Sequence, residues 1–154
     1  MSILLPRGRF RIQARVLQVI PETRFPQPEI RRSSPIAVFK LKRIYESFEA
    51  QDGYRVLVDR IWPRGMSKET ARIKLWMKEI GPSDALRKWF GHNPVRWPEF
   101  QKRYRRELKK NTELIDRLRE LDKKYGTVTL LYSARDDRRN QAVVLCAFLR
   151  STRS

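Results

Sequence analysis

The segment Gly53–Lys68, GYRVLVDRIWPRGMSK, constrains the fold more than any other stretch of the chain. Val56-Leu57-Val58 is apolar on both faces of an extended backbone, as a strand in the middle of a helix-covered parallel sheet must be. The apolar run breaks off at Asp59-Arg60, and a Trp62-Pro63-Arg64-Gly65 turn follows. Ser67 is then placed to cap a short helix running through Ala71, with Glu69 in its first turn. A central strand that ends in a polar cluster delivers it to the edge where open α/β sheets bind ligands.

The rest of the chain from Ile36 onward follows the same alternation. Partial alternation predicts a first strand over 38–45, and the apolar run a second over 54–59. Ile73, Leu75 and Met77 alternate with Lys74, Trp76 and Lys78, a period of two that favours a third strand ended by Gly81-Pro82. Ser83 caps a short helix through Phe90, and 91–94 is a turn. Over 95–110, Trp97, Phe100, Gln101, Tyr104 and Leu108 share one helical face, while Lys102, Arg103, Arg105, Arg106, Lys109 and Lys110 cover the other. A helix over 112–124 buries Leu114, Ile115, Leu118 and Leu121, and Gly126 terminates it. The run 127–132 is a last strand, 133–138 a loop, and 140–150 a closing helix that packs Ala142, Val143, Leu145, Cys146 and Leu149. This order predicts an α/β fold in three layers: a small, mostly parallel sheet of about four strands flanked by helices, with right-handed crossovers.

A chain of 154 residues, 40% hydrophobic and 10% aromatic, has the size and composition of one globular unit with a real core. Residues 1–36 read differently. They carry Pro6, Pro21, Pro26, Pro28 and Pro35 among seven Arg, with only 10–20 hinting at a strand or short helix and 21–35 reading as a linker. We expect a flexible basic extension over 1–36 and a single α/β domain over 37–154. The extension is Arg-rich and acid-poor like a transit peptide, but it lacks the serines and amphipathic pattern of one. A plain extension, or a start placed too far upstream, is the alternative.

The single cysteine, Cys146, allows no intramolecular disulfide and fits a reducing cytoplasm. One Cys and one His do not make a usual tetrahedral zinc site. No apolar run approaches the length of a membrane span, so no membrane partner is expected. The formal charge of +18 either attracts polyanions such as nucleic acid or serves only general solubility; seven Arg and two Glu in residues 1–36 account for +5 of it.

Candidate site residues follow from which side chains the strand ends carry. The second strand supplies Asp59, Arg60 and, through its turn, Arg64. The third supplies Lys78 and Glu79, followed by Ser83 and Arg87. The last supplies Ser133, Arg135 and Asp136, with Asn140 just inside the closing helix. Chemically this is an anion site with carboxylates: Arg60, Arg64, Lys78, Arg87 and Asn140 would hold the anion, the Arg residues in bidentate fashion. Asp59 follows three apolar residues and should be partly buried, as a general base or water-orienting group would be. A structural Asp–Arg pair closing the sheet edge is the alternative. His92, the sole histidine, sits in a Gly-His-Asn-Pro turn where it could reach over the crevice as an acid or base, or simply pack on Trp89 or Trp97. Asp136 completes the catalytic candidates. Trp62, Trp76, Trp89 and Trp97 could wall a pocket, although such spacings more often mark core.

Several chemistries find no motif. The six glycines form neither a dinucleotide nor a P-loop fingerprint, and no serine sits in a nucleophile elbow. Cys146 reads as inert packing. Asp59, Glu79 and Asp136 offer carboxylates to magnesium, but nothing in their spacing argues for it, and no metal or cofactor is expected.

Six blocks carry a family resemblance: LKRIYE at 41–46, DGYRVLVDRIWPRG at 52–65, LWMKEIGPS at 75–83, LRKWFGHNP at 86–94, WPEFQKRYRREL at 97–108, and TLLYSARD with NQAVVL at 129–136 and 140–145. In order over about 110 residues, they resemble the YeaO-like branch of a family of bacterial and archaeal proteins filed as a domain of unknown function. The resemblance implies a small three-layer α/β domain and no established substrate. It implies recurrent polar positions at Asp59, Arg60, Pro63, Arg64, Lys78, Arg87, His92, Asp136 and Asn140. Relatives often carry His just before the matching Asn, where this chain has Arg139. Transcription-regulator labels sometimes attached to relatives find no helix-turn-helix in this order of elements.

Two functions of different class fit. One is a ligand-binding domain or small enzyme acting on a nucleotide-like or other anionic small molecule. The other is a non-specific nucleic-acid-binding protein that uses Lys102, Arg103, Arg106, Lys109 and Lys110 together with the Arg-rich N-terminal arm. Neither reading fixes an oligomeric state.

Overall fold

Four strands, β1 (Val38–Arg43), β2 (Tyr54–Leu57), β3 (Leu75–Trp76) and β4 (Thr127–Tyr132), pair in parallel in the order β1-β4-β2-β3. The computed structural model describes residues 38–152. The expected elements over 10–20 and 21–35 lie outside the described residues, as does the N-terminal arm. β4 pairs with β1 along its whole length, from Val38 opposite Thr127 to Arg43 opposite Tyr132, and on its other side with β2 from Tyr54 to Leu57. The final strand therefore lies inside the sheet, which is why Val128, Thr129, Leu130 and Leu131 are all fully buried.

Five helices connect and cover the strands: α1 (Lys68–Ala71), α2 (Asp84–Phe90), α3 (Trp97–Lys110), α4 (Thr112–Tyr125) and α5 (Gln141–Ser151). Their ends are set locally. Ser67, Ser83 and Asn140 accept hydrogen bonds from the backbone N–H groups of Thr70, Leu86 and Val143, satisfying donors that a helix start leaves free. Gly91 and Gly126 close α2 and α4 in the left-handed conformation. Residues 94–96 form a separate 3-10 turn, so α3 begins at Trp97 with Pro98 in its first turn, where a missing N–H costs nothing. The third strand is shorter than the alternation implied. Ile73 is tied to the end of α1, Met77 leads into a 3-10 turn over Lys78–Ile80, and the four-residue β2 offers little more to pair with.

The two faces of the sheet are covered unequally. Val56, Val58, Val128, Leu130 and Tyr132 point into the main core with Phe90, Phe100, Tyr104, Leu118 and Leu145 from α2 to α5. The alternate residues Leu57 and Leu131 meet Ile44, Ala71 and Ile73 in a smaller cluster, roofed by Trp62 and Met66. One face thus lies under four helices and the other under a single-turn helix and loops.

Charge is buried beneath the thin face. Arg55, 1% exposed, points out of the apolar-looking β2 and donates from Nε and Nη2 to the Ala71 carbonyl, while Nη1 pairs with Asp52 at 2.5 Å. Lys42 of β1 donates to the same carboxylate at 3.1 Å and to Glu49 at 2.8 Å. Burial alone would push the Asp52 carboxyl up, but the Glu49 backbone N–H and the charges of Lys42 and Arg55 hold it below the ordinary value. The next residue, Gly53, has φ +68, and a Cβ there would come within 2.4 Å of the Thr127 carbonyl oxygen, so only glycine fits between β2 and β4.

Asp52→Ala leaves buried Arg55 without a carboxylate and Lys42 with Glu49 alone, and should cost about 3–5 kcal/mol in urea unfolding at neutral pH. Because the folded pKa of Asp52 lies below the unfolded value of about 3.9, the difference from wild type should shrink as pH falls through that value. A loss under about 1 kcal/mol would mean that the network contributes little.

Candidate functional site

Asp59 emerges where β2 and β4 end together, and its surroundings come from both. Its Oδ2 accepts from the Ser133 backbone N–H at 3.1 Å and from the Ser133 hydroxyl at 2.5 Å; its Oδ1 accepts from Gln141 Nε2 at 2.5 Å. Its carbonyl accepts from Trp76 Nε1 at 2.7 Å, so β3 fixes the backbone as well. The residue is 7% exposed. Burial pushes its carboxyl up, and the hydrogen bonds from Ser133 and Gln141 and the charge of His92 pull against this without cancelling it.

A cavity of about 340 Å³ opens over this carboxylate. Asp59, Phe90 and Phe100 lie deep in it, with Ser133 and Gln141 beside them; Trp62, Pro63 and Pro82 form walls. Arg64 and His92 stand exposed among the lining residues, with Arg87 half-buried. The structure therefore brings Asp59, Arg60, Arg64, Arg87 and His92 around one space, from two separate stretches of chain.

The arginines differ in what they are free to do. Arg60 donates from Nε to the Pro82 carbonyl at 2.7 Å and from Nη2 to the Gly81 carbonyl at 3.0 Å, so it fastens the turn before α2. Arg87 pairs only loosely with Asp84, at 3.3 Å, and its Nε is buried with no hydrogen-bond partner among the described residues. The Arg64 carbonyl accepts from the Tyr45 hydroxyl, while its guanidinium joins none of the ion pairs among the described residues. His92 has φ +57, a left-handed backbone that histidine tolerates better than bulkier residues, and its ring lies 5.8 Å from that of Phe90.

The remaining expected residues are placed outside the cavity lining. Lys78 sits in the turn after β3 with its ammonium 5.6 Å from the Trp76 ring. Asp136 accepts from the backbone N–H groups of Arg138 and Arg139 and pairs with the Arg139 side chain; these bonds, led by Arg138, hold its carboxyl below the ordinary range. Asn140 is 1% exposed, caps α5 and donates to the Asp136 carbonyl at 2.9 Å. The β4–α5 loop thus closes on itself from Asp136 onward; it sends Ser133 and Ala134 to the crevice, and the start of α5 sends Gln141. Ser133 is legible as the first residue past a strand; Gln141 follows an N-cap, but nothing in its spacing marks it. Ser83 is held by Glu107, whose two oxygens accept its N–H and hydroxyl at 2.8 and 2.6 Å. Of the tryptophans only Trp62 lines the cavity; Trp97 stacks on Phe100 in the core, and Trp89 lies under Arg96 and Arg103.

On α3, Lys102, Arg103, Arg106, Lys109 and Lys110 are exposed together, and Arg103 pairs with Glu99 at 3.1 Å. Among the described residues no three His, Cys, Asp or Glu side chains gather to hold a metal ion, and no helix is long and apolar enough to cross a membrane.

A raised carboxyl binds its proton more tightly in the folded chain, so ionised Asp59 lowers stability. Stability should fall as pH rises from the ordinary carboxylate value to the raised one and then level off. Urea midpoints measured across this range should lose that slope in Asp59→Asn; an identical slope in both proteins would refute the assignment.

The model of the family described as "Inactive DUF488-N3 subclade" matches residues 38–153. The chain is 44% identical over 110 residues to the uncharacterized protein YeaO of Escherichia coli, covering 71% of this chain and 95% of that one. It is 41% identical over 110 residues to the uncharacterized protein Rv3073c of Mycobacterium tuberculosis, covering 71% and 92%. No solved structure matches significantly. By the extent of both matches, the chain belongs to the YeaO-like family of DUF488 domains, within the subclade described as inactive.

Proposed function

We propose that this domain binds a small anionic molecule in the crevice above Asp59. The observation that carries the reading is the gathering of three basic side chains, Arg64, Arg87 and His92, on the lining of one cavity. Arg87 is engaged only loosely by Asp84, so the accessible end of its guanidinium is left to take a carboxylate or phosphate oxygen. Arg64 and His92 line the same cavity, and Arg60 holds the turn that positions α2. Asp59 has the burial of a general base and His92 the position of an acid. The family description, with its word "inactive", favours binding without turnover over catalysis.

A thermal-shift screen with inorganic phosphate, sugar phosphates, nucleotides and simple carboxylates is the direct test. At least one anion should raise the melting temperature, and Arg87→Ala or Arg64→Ala should weaken it about tenfold, the loss expected for one charge-assisted hydrogen bond. No shift with any anion would remove the reading.

A second reading has its own observation: Lys102, Arg106, Lys109 and Lys110 on α3 are exposed and outside the ion pairs formed among the described residues. If this face binds nucleic acid, affinity should drop by orders of magnitude between about 50 and 200 mM salt, and charge reversal on α3 should abolish binding while Arg64→Ala leaves it unchanged. Salt-independent affinity would exclude a phosphate-contacting face.

A further inference from the structure

An anion at Arg64, Arg87 and His92 leaves most of the crevice unexplained. Some 340 Å³ is within the range of pockets for organic molecules and far more than inorganic phosphate fills. The deep end is also wrong for an anion, because it carries Asp59. Resting on the reading above, we propose that the crevice takes a ligand of two unlike ends: an N–H-donating head seated on Asp59 and Gln141, a flat apolar body, and an anionic group held by Arg64, Arg87 and His92.

The hydrogen-bond directions at the deep end support the head. Both donors of Ser133 and one N–H of Gln141 are turned onto the Asp59 carboxylate. A carboxylate only accepts, so Gln141 must present its Nε2 to Asp59, which leaves its Oε1 as an acceptor close by. Oδ2 of Asp59 has both acceptor directions occupied by Ser133, but Oδ1 has one filled by Gln141 and one open. Two neighbouring acceptors, one charged, match an amidinium, a guanidinium or the amino-imino edge of a heterocycle. A carboxylate or phosphate placed there would meet like charge in a site of low polarity.

The middle of the crevice supports the flat body. Phe90 and Phe100, 4% and 1% exposed, stack at 4.3 Å between ring centroids, and Trp62 and Pro63 line the same cavity. Exposure divides the two polar ends: Asp59 is almost fully buried, whereas Arg64 and His92 face solvent. A ligand would therefore enter head first and keep its anion at the mouth.

Three probes separate the parts: 4-amidinobenzoate carries both ends, benzoate lacks the head, and benzamidine lacks the tail. Titration calorimetry on the full chain at pH 8 should show 4-amidinobenzoate binding at least about tenfold tighter than either single-ended probe, equivalent to one further charge-assisted contact. Asp59→Asn should erase the advantage over benzoate without weakening benzoate itself, and Arg87→Ala should erase the advantage over benzamidine. If benzoate binds and the amidine adds nothing or weakens it, the two-ended ligand is wrong while the anion site stands. If neither benzoate, inorganic phosphate nor 4-amidinobenzoate binds, both fall together. Should Asp59→Asn not fold, the ranking of the three probes on the wild-type chain decides alone.

Discussion

Everything in this domain waits on the insertion of β4 between β1 and β2. Until Thr127–Tyr132 are in place, the first two strands have no partner in common and the carboxyl edge does not exist as a surface. Pairing across so long a separation closes a large loop before any contact rewards it. The same insertion brings Ser133 and Gln141 to Asp59, which belongs to a segment more than seventy residues earlier. The fold and the crevice are thus completed by one event near the end of the chain.

Most of the fold was legible because its elements signal locally. Caps at Ser67 and Ser83, the glycines at 91 and 126, and the apolar periods of α3, α4 and β4 are each a property of a few adjacent residues, whereas Asn140, read as the first residue of the closing helix, is its N-cap. The failures are non-local. The alternation 73–78 is real, yet only Leu75 and Trp76 pair because the partner strand is short. Asp136 and Asn140 looked like edge residues, but their loop folds onto itself and occupies their polar atoms. Arg55 lies in a strand whose sequence reads as apolar on both faces, and the carboxylate of Asp52 that it shares with Lys42 becomes recognisable only once β1 and β2 are set side by side with β4.

The positive charge also divides by use. Arg55 and Arg60 are anchored on backbone carbonyls, Lys42 on carboxylates, and Arg150 on the Phe39 carbonyl at the sheet edge. These cations hold the fold and have little left for a partner. Arg64 and the outward residues of α3 remain in solvent. A large formal charge therefore says less about binding than the places where exposed cations gather.

The unequal cover on the two faces of the sheet reaches into the crevice. Phe90, Phe100 and Gln141 belong to helices anchored in the main core, whereas Trp62, Pro63 and Arg64 ride on a loop over the smaller cluster. Segments with few buried apolar contacts open at lower free energy than core helices. The crevice accordingly has one stiff jaw and one compliant jaw, and compliance on one side tolerates variation in a guest's thickness while its depth stays set by the rigid floor.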